Sequence, residues 1–346
     1  MNTQRTKVTT PKRLPGRHAA VDFGSWYVSV YVAHDGMVFF EPSLVAVRRD
    51  IGRVVGVGNE ASRRYGRTPD GICLLHPIAR GAVAHPEEFE SMLRCIIRSV
   101  ATPPRRSVAR LVITMHRAMT DADRHSVQKI GQRAGARKVF FVDHAIASAL
   151  GVGIDMKAAT AHAVVDFGAG STTAAVIRNG RTEMVKCLQT GGIDLDAAIA
   201  DWLKRAHGIA VPEQALEHIK IAIGSVVPLE DETDLEVRGR NAQGKPMNVH
   251  VSFQDVRTAM ATVVQSMVEA IVALLSGCPD DIRRDLAKTG VVTVGCGALL
   301  RGIDFLVSER TGLPTHMAGD PLTSTVHGAG MLLEQPALFA QYATVI

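Results

Sequence analysis

The stretch VDFGAGSTT, residues 165–173, joins a short apolar run to a turn of small and hydroxyl-bearing residues. The apolar run ending in Asp166 predicts a strand, and the glycines predict a tight turn into a second strand that ends at Asn179-Gly180. Backbone N–H groups at such a turn suit a phosphate, and the aspartate can hold magnesium directly or through water. Taken alone, the pattern is also typical of a plain hairpin.

The same motif occurs twice in the chain. HAAVDFGS at residues 18–25 matches HAVVDFGA at residues 162–169 with a constant offset of 144 residues. The copies stay in register as far as Asp35-Gly36 and Asn179-Gly180, dipeptides typical of two-residue hairpin turns. A repeat of this period indicates a duplicated domain. Two phosphate hairpins, one in each half, predict a nucleotide held in a cleft between two similar lobes.

Length and composition are those of an ordinary soluble protein with two domains. The chain has 346 residues, of which 46% are hydrophobic and 21% charged. We expect no membrane-spanning segment and no signal peptide, and therefore a cytoplasmic protein. The five cysteines show no CxxC spacing, which predicts free thiols in a reducing compartment.

The net charge of +5 comes from one end of the chain. Residues 1–18 contain five basic and no acidic side chains, so the remaining 34 basic residues balance 34 acidic ones. This pattern predicts a basic disordered tail and argues against a nucleic-acid-binding face. The alternative for the tail is a weak attraction to anionic lipid.

The order of elements predicts an α/β fold. Strand-like and helical patterns alternate, which indicates largely parallel sheets covered by helices. The predicted strands lie at 37–40, 43–48, 53–57, 109–115, 139–142 and 291–294. The predicted helices lie at 89–100, 120–135, 145–150, 194–208, 212–223 and 252–275, with another starting at Ala298.

Five motifs follow one another in the order found in the actin, Hsp70 and sugar-kinase superfamily. They are DFGS (22–25), DFGAGST (166–172), GG (191–192), EHIK (217–220) and GCGALL (295–300). Within that superfamily the chain resembles MreB and Mbl, the bacterial actins of cell-shape determination, over roughly residues 19–333. Stretches at 41–46, 66–69, 134–137, 236–240 and 320–322 support the resemblance.

The resemblance implies an actin-like, ribonuclease H-like fold of duplicated domains with a nucleotide cleft between them. Domain I would span 19–156, with a small subdomain at about 34–80, and would be completed by 325–346. Domain II would span 157–324, with a small subdomain at about 191–250. The tail at 1–18 would precede both.

The resemblance also implies ATP or ADP with Mg²⁺ as cofactors. Asp22 and Asp166 would orient the magnesium and its waters, and His144 and Asp166 would be the catalytic candidates. Glu217 and Lys220 would meet the ribose and adenine, although without the resemblance they would be an ordinary surface ion pair. The nucleotide-binding candidates are Asp22, Gly24, Ser25, Trp26, Tyr27, Gly168, Ala169, Gly170, Ser171, Thr172, Gly191, Gly192, Glu217, Lys220, Gly295, Cys296, Gly297 and Ala298.

Several positions depart from the family pattern. His144 stands where MreB has the glutamate that positions the attacking water. A neutral imidazole can orient water, or it can be a polar residue left after hydrolysis was lost, and both alternatives stay open. The bulky pair Trp26-Tyr27 occupies the first phosphate loop, where it either closes the loop onto its hairpin or obstructs the γ-phosphate.

Further departures are at Ala169 and Cys296, which replace glycines, and at Arg80 and His85, which replace aspartates near the cleft floor. A glycine at positive φ resists replacement, at a cost of about 1 kcal/mol or more. Together these changes predict weakened or lost ATP turnover, so that the protein would be at most a slow ATPase.

Three functions follow from this pattern. The first is an ATP-binding filament protein that assembles with itself or with other MreB-type actins, in cell-shape, cell-wall or spore-wall morphogenesis. The second is a non-hydrolysing adaptor for envelope morphogenesis proteins, and the third is a small-molecule kinase. Peripheral contact with the inner face of the cell membrane would be electrostatic, involving the tail or the basic loop at 101–106, or would come through partners.

Overall fold

The computed structural model describes residues 16–64, 71–101, 107–116 and 119–345. Most of the predicted tail, the family-like stretch at 66–69 and the basic loop beyond residue 101 lie outside the described residues.

The described residues form strands and helices in an alternating order. The strands are β1 His18–Phe23, β2 Tyr27–Val32, β3 Gly36–Pro42, β4 Val45–Arg48, β5 Arg53–Val57, β6 Ile72–Leu75, β7 Ile78–Ala79, β8 Ala82–Val83, β9 Val108–Met115, β10 Ala136–Asp143, β11 His162–Phe167, β12 Thr172–Arg178, β13 Arg181–Leu188, β14 Ile209–Ala210, β15 Leu235–Asn241, β16 Pro246–Val251, β17 Val291–Val294 and β18 Thr315–Met317. The α-helices are α1 Asn59–Ser62, α2 Pro86–Val100, α3 Asp121–Ala134, α4 His144–Gly151, α5 Gly192–His207, α6 Glu213–Ile223, α7 Phe253–Ser276, α8 Asp280–Thr289, α9 Ile303–Thr311, α10 Ser324–Glu334 and α11 Pro336–Tyr342.

Two five-stranded sheets share one topology. The first has the order β3-β2-β1-β9-β10 and the second the order β13-β12-β11-β17-β18. In each sheet the first three strands are antiparallel neighbours and the last three are parallel. Asp22 pairs with Ser29 in the first sheet, and Asp166 pairs with Thr173 at the equivalent place in the second. The duplication predicted from the repeated motif is therefore present in the fold, and we call the two halves the first and second lobes.

Smaller sheets extend each lobe. Strands β5, β4 and β6 form a three-stranded sheet beyond the first lobe, and β14, β15 and β16 form one beyond the second. Strands β7 and β8 form a separate two-stranded hairpin.

Helices α4 and α10 lie between the two main sheets. One buried apolar cluster joins Ala20 of the first sheet and Val164 of the second to residues of both helices. The helices cross closely at glycine, since a Cβ on Gly328 would lie 1.8 Å from the carbonyl oxygen of Ala147. This crossing connects the lobes behind the cleft.

Replacing Gly328 with alanine should therefore lower the free energy of unfolding by about 3 kcal/mol, the upper end for overpacking a core. The added carbon meets backbone, which cannot rotate away. Urea denaturation followed by circular dichroism measures the effect. Gly319→Ala is the matched control, because open space surrounds that position. A change at Gly328 as small as that at Gly319 would show that the helices separate easily.

The helix signals in the sequence are mostly confirmed. At the start of the helix predicted at 120–135, Thr120 and Asp123 form a capping box, with the Asp123 N–H donating to Thr120 Oγ1 at 3.2 Å, and Gly135 follows α3 with φ 124°. The helix predicted from Ala298 is wrong. Residues Cys296–Leu299 form a single 3₁₀ turn, and the α-helix starts only at Ile303, after Gly302 in the left-handed conformation.

The two repeated hairpins turn differently. Asn179 and Gly180 are both at positive φ between paired Arg178 and Arg181, as predicted for a two-residue turn. In the first copy Gly36 already pairs with Val32, so the turn has three residues and the two-residue prediction there is wrong.

Helix α7 is long and apolar enough to cross a membrane by length and composition alone, with a mean hydropathy of 1.7. From the sequence we expect no membrane-spanning segment, whereas this helix meets the criterion of length and composition. The helix nevertheless begins at Phe253, directly after its N-cap Ser252, and its residues Val256, Met260 and Ile271 are fully buried in the core of the second lobe. It is placed as a core helix of that lobe.

Candidate functional site

The two repeated turns are built alike. The Gly24 N–H donates to the Tyr27 carbonyl at 2.9 Å, and the Gly168 N–H donates to the Ser171 carbonyl at 2.9 Å. A Cβ on either glycine would lie within 3 Å of that same carbonyl oxygen, which explains the glycine. The amides of both glycines are thus used inside their own turns.

The two motif aspartates lie at the ends of their strands and are shielded from water. Asp166 is 7% exposed, and Asp22 accepts a hydrogen bond from the Thr114 hydroxyl of β9. Burial, together with the charge of Asp22, raises the pKa of Asp166 to about 8. Burial likewise raises the pKa of Asp22. A cation between these carboxylates would reverse both shifts.

His144 lies between the two aspartates. Its Nε2 is 3.6 Å from Asp22 Oδ1 and 3.6 Å from Asp166 Oδ2, while its Nδ1 is buried with no hydrogen-bond partner among the described residues. Its ring stacks on that of His116 with centroids 4.1 Å apart. Burial lowers the pKa of His144 to about 4 and that of His116 to about 3, so both rings are neutral at pH 7.

The donor set fits a magnesium ion held mostly by water and phosphate. Asp22 and Asp166 supply hard carboxylate oxygens from opposite lobes, and the described residues contain no cluster of three or more acidic, histidine or cysteine ligands that could cage a metal. Mg²⁺ typically keeps several waters and uses one or two carboxylates beside substrate phosphates. Asp22 and Asp166 would therefore hold the ion, which would supply charge neutralisation for phosphate oxygens.

The cleft has a narrow end and a wide end. The narrow end, a cavity of about 80 Å³, is lined by residues of the two turns and by the buried acid and histidine groups, including Asp22, Gly24, Ser25, Trp26, Tyr27, His116, His144, Asp166, Gly168, Ala169, Gly170, Ser171, Gly295 and Cys296. The wide end, a cavity of about 390 Å³, is lined by residues including Gly192, Asp196, Glu217, Lys220, Gly297, Leu299 and Leu300. The structure thus brings most of the predicted site residues to one cleft.

Three predicted site residues line neither cavity. Thr172 is buried and its hydroxyl donates to the Thr190 carbonyl at 2.9 Å. Gly191 packs on the phosphate turn, where a Cβ would lie 2.4 Å from the Gly168 carbonyl oxygen. Ala298 is buried in the core of the second lobe. Their positions support the loops rather than face a ligand.

Trp26 and Tyr27 line both ends of the cleft and so lie where the two cavities meet, a place that we call the waist of the cleft. The Trp26 indole stacks on His76 with centroids 5.0 Å apart, and the Tyr27 ring stacks on Phe40 of β3 at 4.9 Å. Both rings thus stack on side chains of their own lobe, and Trp26 also hydrogen-bonds Glu217 of the second lobe. They narrow the passage between the two ends of the cleft.

Lys220 pairs with Asp196 and not with Glu217, the partner in the ordinary ion-pair alternative. Its Nζ lies 2.8 Å from Asp196 Oδ2 and donates to the Gly192 carbonyl at 3.1 Å. Burial raises the pKa of Asp196 to about 6, an effect that Lys220 partly offsets. The other oxygen of Asp196 is buried with no hydrogen-bond partner among the described residues. Glu217 is half-buried at the same end, and burial raises its pKa.

The glycine at Gly295 is required by its surroundings. Its φ is 86°, and a Cβ there would lie 2.1 Å from Asp166 Oδ1. By contrast, the expected strain at Ala169 and Cys296 is absent, since the non-glycine residues at positive φ in the described chain are His34, Arg80 and Asn179. The two replacements are compatible with the local backbone, and they do not indicate that the nucleotide-binding loops are distorted.

Arg80 and His85, expected near the cleft floor, lie in different surroundings. The Arg80 guanidinium reaches the second lobe, where Nη2 lies 2.7 Å from Asp194 Oδ1. His85 is exposed at the start of α2 and lines neither end of the cleft.

Sequence reasoning missed Asp196, His116 and Thr114. Asp196 lies four residues beyond Gly192, on the first turns of α5, and could have been found from its spacing to the glycine pair. His116 and Thr114 lie at the end of β9, which adjoins β1 in the sheet. No local signal marks them, because only the strand order brings them beside Asp22.

The two similar lobes are joined by helices behind a cleft, and each lobe contributes a glycine turn and an aspartate to that cleft. This arrangement defines an actin-like nucleotide-binding fold. Solved structures agree. The fold matches MreB5 of Spiroplasma citri bound to ADP with a TM-score of 0.88, 25% identity, and coverage of 94% of this chain and 98% of that one. It also matches the MamK double helical filament with a TM-score of 0.78 at 20% identity, covering 92% of this chain and 99% of that one.

The chain belongs to the MreB/Mbl family, whose model matches residues 16–341. It is 34% identical over 321 residues to the cell shape-determining protein MreB of Escherichia coli K12, covering 91% of this chain and 92% of that protein. It is 30% identical over 319 residues to the cell shape-determining protein Mbl of Bacillus subtilis 168, covering 92% and 96%. The resemblance predicted from the motifs is confirmed.

Proposed function

We propose that the protein is an ATP-binding bacterial actin that forms or joins filaments in cell-shape and cell-wall morphogenesis. The observation that carries this is the pair of equivalent turns and aspartates facing one cleft, Gly24 with Asp22 and Gly168 with Asp166. Family membership supports it, as do MreB5 structures bound to ADP and to AMPPNP.

In this proposal the narrow end takes the phosphates and the wide end takes the nucleoside. Amides at residues 25–27 and 169–171 would bind phosphate oxygens, with magnesium between Asp22 and Asp166. Glu217 and Asp196 would bind the ribose hydroxyls, since both are acceptors at the wide end. Nucleotide would thereby bridge the two lobes and set the subunit shape that filament contacts require.

We further propose that ATP turnover is slow or absent. His144 Nε2 faces the two aspartates at 3.6 Å, so when it carries the proton it points its N–H toward the carboxylates and cannot accept a hydrogen bond from water. The other nitrogen, Nδ1, is buried, and the His144 ring stacks on that of His116. Neither nitrogen is placed as an obvious base for an attacking water.

The His144 arrangement also favours the second candidate, an adaptor that binds nucleotide for stability and envelope morphogenesis proteins for function. Association with the inner face of the membrane would then come through such partners or through the basic tail.

Calorimetric titration with Mg-ATP and with Mg-ADP, with phosphate release followed in the same sample, tests the proposal. We expect micromolar or tighter binding of both nucleotides and release slower than about one phosphate per minute, well below typical enzyme turnover. Pelleting with and without a purified MreB then separates filament from adaptor. Failure to bind either nucleotide would contradict the proposal outright.

A further inference from the structure

Arg80 stands at the tip of a short hairpin in the first lobe. Strands β7 and β8 pair Ala79 with Ala82, which leaves Arg80 and Gly81 as a two-residue turn. Their φ angles are 50° and 77°, the geometry of a turn that favours Asn, Asp or Gly. A side chain with a Cβ is disfavoured in this left-handed conformation. Arginine is therefore a poor choice for the turn itself, and its value lies in what the side chain contacts.

The Arg80 guanidinium crosses the cleft and binds the second lobe at two points. Nη2 lies 2.7 Å from Asp194 Oδ1 and Nη1 lies 3.2 Å from Asp194 Oδ2, and Nη1 also donates to the Gln189 carbonyl. The two side chains are 43% and 22% exposed, so water and salt reach the pair. A forked arginine–carboxylate contact is specific in geometry, while exposure keeps it weak enough to open.

Both ends of this contact reach the second phosphate turn. On the hairpin side, a Cβ on Gly170 would lie 3.0 Å from the Arg80 backbone, so the tip rests directly on the turn. On the other side, Asp194 Oδ2 accepts from the Gly191 N–H at 2.9 Å, and the Gly192 N–H donates to the Gly168 carbonyl at 3.1 Å. The ion pair therefore fixes the hairpin over the loop that would hold the phosphates.

We propose that Arg80 and Asp194 form a latch across the phosphate end of the cleft and that the latch controls the rate of nucleotide exchange. The inference rests on the proposed nucleotide site. With the pair intact the hairpin tip covers the phosphate turn, and nucleotide leaves only after the pair breaks. Arg80 is in this sense a positioning residue that acts through the hairpin and Asp194.

Two other polar contacts between described residues of the two lobes are longer. His76 Nε2 lies 3.9 Å from Glu213 Oε2, and Gln214 Nε2 donates to Ser62 Oγ at 3.5 Å. These distances are near the limit of an ion pair and of a hydrogen bond, so they hold the lobes together less firmly than the latch.

The test follows release of a fluorescent ADP analogue from the full chain with magnesium, chased with excess ADP. Arg80→Met should raise the dissociation rate constant about fivefold, the upper end for losing an exposed ion pair. Asp194→Asn should act in the same direction, because it removes the charge and can still accept from Gly191. The double variant should release ADP no faster than Arg80→Met, since both changes break one interaction. Added salt should speed release from the wild type and not from Arg80→Met.

Arg48→Met is the matched control, because Arg48 forms a comparable exposed pair with Asp50 within the first lobe, away from the cleft. Release from Arg80→Met within twofold of both wild type and this control would overturn the latch. A second readout needs no nucleotide. Hydrogen–deuterium exchange of residues 189–195 in the free chain should be faster in Arg80→Met, and unchanged exchange would overturn the latch. Absence of ADP binding by the wild type would instead contradict the proposed function.

Discussion

Replacing Asp166 with asparagine should weaken Mg-ATP binding about 10- to 100-fold, the range for removing a group that orients a bound metal and its waters. The carboxylates of Asp166, which is buried, and of Asp22, which is partly buried, face the narrow end of the cleft from opposite lobes. The asparagine keeps the size and one acceptor oxygen but removes the charge that a cation needs. Calorimetric titration at fixed magnesium concentration measures the loss.

The same substitution should change how stability depends on pH. The pKa of Asp166 is about 8 in the folded chain without ligand and about 3.8 unfolded, so the folded state holds the proton more tightly. The stability that this group contributes is full below pH 3.8 and is lost as the pH rises through about 8. The slope approaches 1.4 kcal/mol per pH unit between the two values. Urea unfolding of the nucleotide-free chain at pH 7.0, 7.5 and 8.0, where His116 and His144 are neutral in the folded chain and mostly neutral in the unfolded one, should show this fall, and Asp166→Asn should flatten it.

Binding should show the opposite dependence. Because Mg-nucleotide favours the ionised carboxylate, affinity should rise with pH up to about 8, with uptake of the nucleotide releasing protons. Asp201→Asn, on the exposed side of α5, is the control for removing one negative charge from the second lobe. An Asp166→Asn chain that kept both the stability slope and the wild-type affinity would show that Asp166 neither carries a bound proton nor holds the cation.

The strands, helices and turns that were predicted correctly from the sequence are those determined by residues close together in the chain. The repeat at residues 18–25 and 162–169 predicted two equivalent sheets because alternating apolar residues and a glycine turn determine a hairpin without help from the rest of the chain. Capping at Thr120 and Ser252 is equally local, as a hydroxyl three residues before an aspartate satisfies the first turn on its own. These elements are therefore confirmed with their boundaries nearly intact.

The remainder depends on contacts between distant segments. Arg80 meets Asp194 114 positions further along the chain, and nothing near either residue reveals that meeting. Lys220 pairs with Asp196, although Glu217 on the same helix face was the nearer candidate. The strain expected at Ala169 is absent because φ at that position is set by the whole turn. Such features depend on how the two lobes are placed against each other. The periodicity of apolar residues carries no information about that placement.

Replacing His144 with glutamate should raise phosphate release from Mg-ATP by about tenfold or more, since a positioned general base contributes 10²–10⁴-fold. The variant supplies a carboxylate at the first position of α4, where the resemblance to MreB implies a glutamate that positions the attacking water. In the wild type that position holds a neutral ring directed at Asp22 and Asp166. Single-turnover release of phosphate, measured with nucleotide binding in the same sample, gives the result.

The glutamate should also make the empty chain less stable. A third carboxylate would join Asp22 and Asp166 in a buried site where burial already raises the pKa of both, so the melting temperature without ligand should fall and Mg-ATP should restore it. His144→Gln is the control, because it keeps a neutral polar group and adds no base. If the glutamate variant binds Mg-ATP and releases phosphate no faster than the glutamine variant, the geometry around the γ-phosphate is itself unsuited to hydrolysis. The adaptor function would then be favoured, with Trp26 and Tyr27 at the waist of the cleft as the next positions to change.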